Sequence, residues 1–312
     1  MRFSVIVPLY DKEPYVEKAL RSVLGQLFKD YELIVVNDGS RDNSLAVAEK
    51  VLSGVGNARI INQPNSGVST ARNNGIAAAN GEYICFLDAD DWWEPTFLEE
   101  MDVLIKGYPN AGLYCTNYYY VHNRRSMVKL DIPTGYFNYC KEYARTLCML
   151  ATSSCCISKT VLTEMGGFKP HLKLGEDFDL WIRIALKYGA AILNKPLVYF
   201  NNDVPVKFRA THHLHKPENH MLWDLGYLEE EEKTNPDYKQ LIDNLRTYGL
   251  MPYFLSKEYH NAAQTELNKV DWSRQSPETR SKYAKPLLYL RAKNKFMRVA
   301  AIIKKFVIQV VR

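Results

Sequence analysis

The chain has 312 residues, 46% of them apolar, which is enough to bury a large core as one big domain with an extension or as two domains, and excludes a disordered chain. The opening stretch is too short and too soon broken by Pro8 for a signal peptide, and no uninterrupted apolar run is long enough to span a bilayer, so a cytoplasmic catalytic body is expected. The formal net charge is +5, yet residues 291–312 carry seven basic residues and no acid, leaving −2 for the remainder; the basicity belongs to the tail, and nucleic acid is not an expected partner.

Taken in chain order, Phe3 to Val7 is a continuous β-branched apolar run, as is Leu33 to Val36. Between them Val16, Ala19, Leu20, Val23 and Leu24 recur at helical spacing, which predicts strand, helix, strand. A helix from Leu45 to Leu52 leads to a third strand at Ala58 to Ile61, and Ser66 is placed to cap a helix from about Gly67 to Ala79. Tyr83 to Leu87 follows as a fourth strand. Pro95 opens a helix to about Lys106, Leu113 to Val121 reads as an aromatic-rich strand, and Glu142 to Leu150 reads as helical. Gly166 to Phe168 marks a loop, Phe178 to Lys187 a helix ended by Gly189, and Ile192 with Leu197 to Phe200 the closing strands; past Met221 the signals are helical and charged.

Strands alternating with helices predict an α/β fold with a mostly parallel, doubly wound sheet whose ligands lie beyond the carboxyl ends of the strands. The expected division is 1–220, with halves at 1–91 and 92–220, followed by a helical extension over 221–312. Cys85, Cys115, Cys140, Cys148, Cys155 and Cys156 form no Cys-x-x-Cys pair and read as buried reduced thiols.

The polar residues that follow the strands carry the functional signal. Pro8, Leu9 and Tyr10 follow the first strand, Asp38 sits in a Gly-Ser turn after the second, and Asp88, Ala89, Asp90 and Asp91 follow the fourth. Residues two apart on an extended chain face one way, so Asp88 and Asp90 are suited to sharing a hard divalent cation, Mg²⁺ or Mn²⁺, which oxygen ligands favour over zinc. The alternative is a solvated acidic turn in which Asp91 caps the next helix. Arg72, one turn inside its helix, is in reach of the same edge as a fixed cation.

Five segments, VIVPLYDKEPYVEKALRSVLGQ, YELIVVNDGSRDNS, NQPNSGVSTARNNGI, GEYICFLDADDWWEP and MGGFKPHLKLGEDFDLWIR, occur in an order that resembles the inverting family-two glycosyltransferases with a GT-A fold, over about the first 185 residues. Asp11 departs from a common Asn, and Asn37 from the first of two common Asp residues. The resemblance implies that Pro8, Leu9, Tyr10, Asp38 and Arg72 form the nucleotide pocket, with Asp38 on the base, Asp88 and Ala89 beside the ribose or sugar, and Asp90 on the metal at the diphosphate. It also implies a catalytic base at Asp177, with Glu176 nearer the acceptor; acids in a first helical turn also serve as caps, and that reading stays open.

Further expectations rest on single features. Trp92 and Trp93 offer a face for an acceptor sugar or else simply pack, while Arg209 and His215 belong to a loop that folds over the diphosphate or stays solvated. The implied activity is metal-dependent transfer of one sugar from a nucleotide-sugar, a UDP-sugar, to a glycan or lipid-linked acceptor in cell-surface polysaccharide synthesis; the Gln-x-x-Arg-Trp motif of processive synthases is absent. Its rivals are an inactive nucleotide-sugar-binding or scaffold protein and a sugar nucleotidyltransferase, which wants a glycine-rich basic loop that VPLYDKEP does not offer. In the tail, Phe296, Val299, Ile302, Ile303, Phe306, Val307 and Val310 recur at helical spacing among basic residues. That stripe suits an anionic membrane surface, the catalytic domain, or a second subunit in a homodimer.

Overall fold

The structure, a computed structural model, describes residues 1–122, 124–147, 150–205 and 214–296. The chain divides into two compact units, Met1–Gly226 and Tyr227–Arg312.

The first unit is built on one ten-stranded sheet. Its parallel part consists of β1 (Phe3–Leu9), β2 (Tyr31–Asn37), β3 (Ala58–Asn62) and β4 (Tyr83–Phe86), in the spatial order β3-β2-β1-β4. Every residue of β2 is buried and almost every one of β1, because helices cover both faces of a central parallel strand and leave no face for polar alternation. The crossovers are α1 (Glu13–Leu24), which buries Val16, Ala19, Leu20 and Val23, then α2 (Ser44–Leu52) and α3 (Val68–Ala78). At Gly75 a Cβ would come within 2.5 Å of the Ile6 side chain, so α3 lies closer to β1 than any larger residue permits.

The sheet continues through strands of both senses. After β5 (Trp92–Trp93) and α4 (Phe97–Gly107) come β6 (Leu113–His122), β7 (Arg124–Met127), β8 (Gly135–Phe137), α5 (Tyr139–Thr146), β9 (Cys155–Ser158) and α6 (Lys159–Glu164). The chain then forms α7 (Glu176–Tyr188) and β10 (Ala190–Asn201), and the path reads β4-β9-β6-β10-β5. Here β9 runs antiparallel to both β4 and β6, while β10 is parallel to β6. The two expected closing strands are thus one long strand, irregular where Pro196 interrupts the register with β6. β9 carries two of the thiols; Cys85, Cys115, Cys140, Cys155 and Cys156 are all buried and free, and Cys148 lies outside the described residues.

Ser66 does not cap α3 with its side chain. Gly67 occupies that position with φ +91°, and the Ser66 hydroxyl donates to the Pro64 carbonyl instead, at 2.8 Å.

The second unit is helical: α8 (Glu229–Thr234), α9 (Pro236–Gly249), α10 (Met251–Leu255), α11 (His260–Leu267) and α12 (Pro277–Tyr283). The Arg246 guanidinium is buried at its centre, 2.5 Å from Glu232 and flanked by Asp243 and Glu266. A buried cation is tolerated here because carboxylates surround it. Among the described residues no helix is long and apolar enough to cross a membrane.

Candidate active site

The carboxyl ends of β1, β2 and β4 open into a cleft of about 1050 Å³, closed on its other side by residues at the ends of β6 and β10. Pro8, Leu9, Tyr10, Asp38, Arg72, Asp88, Ala89, Asp90 and Glu176 all line it, so residues spread over most of the first unit's sequence converge on one edge of the sheet.

Each carboxylate of the acidic turn after β4 meets different partners. Arg72, almost fully buried on α3, donates to Asp88 at 2.8 Å and to Glu176 at 3.0 Å, bridging the acidic turn to the start of α7. Two carboxylates on one guanidinium hold the proton on that group still more firmly than usual, against the cost of burial. Asp90 pairs with Lys12 at 2.5 Å. Burial pushes the Asp90 carboxyl up, Lys12 opposes that, and Asp88 adds to it.

Asp91 does not follow the alternative of a solvated, helix-capping turn. It is buried, accepts from the Ser153 hydroxyl at 2.5 Å and from the Asn201 amide at 2.8 Å, and burial beside Asp90 and Asp88 pushes its carboxyl well up.

Asp38 is also buried, and its oxygens accept from Gln63 at 2.7 Å, from the Ser66 amide at 2.7 Å and from the Gly67 amide at 2.9 Å. The carboxylate therefore folds the loop that leads into α3. Beside it, Asp11 sits at φ +48° and holds Arg41 through its guanidinium and its backbone amide, with that guanidinium 5.3 Å from the centre of the Tyr10 ring. The departure from Asn at position 11 gives this pair its charge.

At the head of α7 the two acids part company. Glu176 lines the cleft, and burial, with Asp177 adding to it and Arg72 opposing, pushes its carboxyl up to about 7. Asp177 accepts from the Thr152 hydroxyl at 2.8 Å and from the Phe178 amide at 2.8 Å. Asp179 is a packing residue, buried between Lys169 and Arg183 at 2.9 Å each.

Among the residues expected at the site, Asp177, Trp92, Trp93 and His215 do not line the cleft. Trp93 does not present an acceptor face: it is buried, stacked on Phe97 at 4.0 Å, and its indole nitrogen donates to the Ser153 carbonyl. Trp92 has one face on Tyr199 at 5.1 Å and the Lys18 ammonium 3.0 Å from its ring centre. His215 is beside His220, whose ring is pushed down to about 4, chiefly by burial. Arg209 lies outside the described residues.

Several participants escaped the sequence reading. Lys12 was within sight, two residues past Tyr10, but a lone lysine at a helix start carries no signal of its own. Thr152 and Ser153 had none at all, since their partners Asp177, Asp88 and Asp91 are 25 or more residues away in the chain.

The residues present fit a divalent cation. Among the described residues no three His, Cys, Asp or Glu side chains form a metal-holding group. Asp88 and Asp90 nevertheless present oxygen donors to the cleft, and Mg²⁺-type ions commonly take one or two carboxylates and complete their shell from water and substrate phosphates.

Known proteins resemble this chain in sequence and in fold. The profile of Glycosyl transferase family 2 matches residues 4–166, more than half of the chain. Chondroitin synthase of Pasteurella multocida is 36% identical over 249 residues, 78% of this chain and 25% of that protein. The putative glycosyltransferase EpsH of Bacillus subtilis is 42% identical over 98 residues, 31% of this chain and 28% of the relative. The chain thus spans less than a third of such relatives' length. Among solved structures, S. aureus TarS 1-349 in complex with UDP-GlcNAc superimposes with a TM-score of 0.74 at 22% identity, over 94% of this chain and 88% of that one. The mannosyltransferase PcManGT from Pyrobaculum calidifontis, in complex with GDP-Man and Mn²⁺, gives 0.59 at 16% identity, over 96% and 86%. These likenesses establish the GT-A fold, and with the profile running from β1 through α6 the chain belongs to glycosyl transferase family 2.

Proposed function

We propose that the chain is a metal-dependent, inverting glycosyltransferase that moves a single sugar from a nucleotide-sugar, a UDP-sugar, to a glycan or lipid-linked acceptor on the cytoplasmic side of the cell envelope. The observation that carries this reading is the convergence of Asp38, Arg72, Asp88, Asp90 and Glu176 on one cleft at the carboxyl edge of the sheet. Relatives named as glycosyltransferases, and folds complexed with UDP-GlcNAc and with GDP-Man and Mn²⁺, support the donor class and the metal.

In the reaction the bond from the anomeric carbon to the diphosphate breaks, the acceptor oxygen bonds to that carbon from the opposite face, and the acceptor proton passes to a protein base. Asp88 and Asp90 would hold the cation, which supplies Lewis-acid stabilisation of the diphosphate as it leaves. Lys12 pairs with Asp90 and Arg72 with Asp88, which places two protein cations at the acidic turn. We assign Asp177 as the base, its carboxylate oriented by Thr152. A second reading makes Glu176 the base, favoured by its place in the cleft and by a carboxyl pushed up to about 7, near the working pH of a general base.

The test is a donor screen with Mn²⁺ followed by two variants. Asp177→Asn is expected to keep donor affinity and lose about a hundredfold or more of turnover, the scale of losing general-base catalysis. A larger loss in Glu176→Gln, with Asp177→Asn near normal, exchanges the two roles. Failure of every nucleotide-sugar to bind overturns the enzyme reading in favour of a scaffold.

A further inference from the structure

The described chain ends in helical turns over 287–296 that belong to the second unit. One side faces inward: Leu290 is buried, and Arg291 donates to the carbonyls of Leu255 and Ser256 at 3.1 and 3.0 Å. Another side bears Leu288, 81% exposed, Ala292, also exposed, and Phe296, 71% exposed. Spaced four apart, these three form one apolar stripe along the helix. Exposed Tyr289 and Lys293 run beside it at the same spacing, Lys295 is also exposed, and exposed Lys285 lies in the bend just before the helix.

Leu288 and Phe296 put two large apolar side chains in line on one water-facing stripe, with Ala292 between them, which is more than scattered single exposure. The composition around it names the occupant. From Lys285 to the end of the sequence there are eight lysines and arginines and no acid, while apolar residues keep recurring at helical spacing as far as Val310. A two-fold dimer through this face would set the same cationic patch against itself, which like-charge repulsion opposes. An anionic lipid surface accepts both features at once, taking the apolar side chains at its acyl boundary and the cations at its headgroups.

We propose that the face carrying Leu288, Ala292 and Phe296, with its flanking lysines, docks on an anionic membrane surface. This rests on the second unit alone and stands or falls independently of the chemistry in the cleft.

The experiment uses the full chain and sedimentation with vesicles of phosphatidylcholine alone or mixed with phosphatidylglycerol. The expected result is co-sedimentation only with the anionic vesicles, and release as salt rises. Leu288→Glu and Phe296→Glu, at sites already open to water, should each lower partitioning about tenfold, the scale of one lost Leu or Phe burial, with unchanged thermal unfolding. Lys293→Gln should weaken binding to anionic vesicles less than either. A chain left in the supernatant with anionic vesicles at low salt overturns the proposal, as does binding indifferent to lipid charge or to these variants. A dimer in light scattering that Leu288→Glu dissolves, without vesicle binding, assigns the face to a second copy instead.

Discussion

Three carboxylates within four residues, Asp88, Asp90 and Asp91, coexist because each meets a different partner: Arg72, Lys12, and the Ser153 hydroxyl with the Asn201 amide. Asp91 also lines the cleft, but both its oxygens are taken by hydrogen bonds within the protein, which leaves Asp88 and Asp90 as the pair for a cation. Asp90→Ala is therefore expected to bring UDP affinity in Mn²⁺ down to its value in EDTA, read by calorimetry; equal wild-type affinity in both conditions counts against a metal. Glu176 carries a pH signature. Its carboxyl is pushed up to about 7 from an ordinary 4.5, so the folded chain holds a proton there that the unfolded chain releases. Stability must then fall as pH rises through that window, and the penalty is complete above about 7. Glu176→Gln cannot ionise, so in urea unfolding the variant should gain on wild type as pH rises from about 4.5 to about 7; a difference flat across that range would mean that Glu176 is ionised throughout.

The element that ties the site together is the short turn Thr152–Ser154 before β9. Thr152 reaches Asp177, the Ser153 hydroxyl serves both the Asp91 carboxylate and the Asp88 amide, and the Ser153 carbonyl accepts from Trp93. One turn thus braces the acidic turn and the head of α7 together. Ser153→Ala would strand a buried carboxylate oxygen and is expected to cost about 1–3 kcal/mol in denaturant unfolding. Thr152→Val should lower kcat about tenfold or more through a misaimed base, with donor KM little changed, and Thr152→Ser should restore it. Equal losses in Val and Ser variants would make the residue a packing contact only. Elements of this kind leave little mark in a sequence. β1 through β4 are legible because apolar runs alternate with helical periods, whereas the two-residue β5 is too short to show a period and β9 follows directly on the polar turn Thr152–Ser154. Ser66 is a different case: a hydroxyl before an apolar run is a good cap signal, but the cap position falls one residue later, on Gly67, and the Ser66 hydroxyl turns back to the Pro64 carbonyl.

At the scale of the whole molecule, charge and chemistry are segregated: carboxylates gather at the sheet edge of the first unit, and cations without acids fill the end of the chain. The sequence by itself determined the alternation of strands and helices, hence the α/β class and the edge of the sheet where ligands gather, because periodicity and the residues after each strand are local properties. It also determined the basic, apolar character of the end of the chain. The tertiary structure alone decided which acids share a partner, since Arg72 meets both Asp88 and Glu176 only after α3, β4 and α7 have packed together. It alone buried Trp93 in the core and reversed β9 within the sheet. Such pairings join residues 16 to 104 positions apart around Arg72, and they depend on the desolvation and distances of the packed state, which no local pattern encodes.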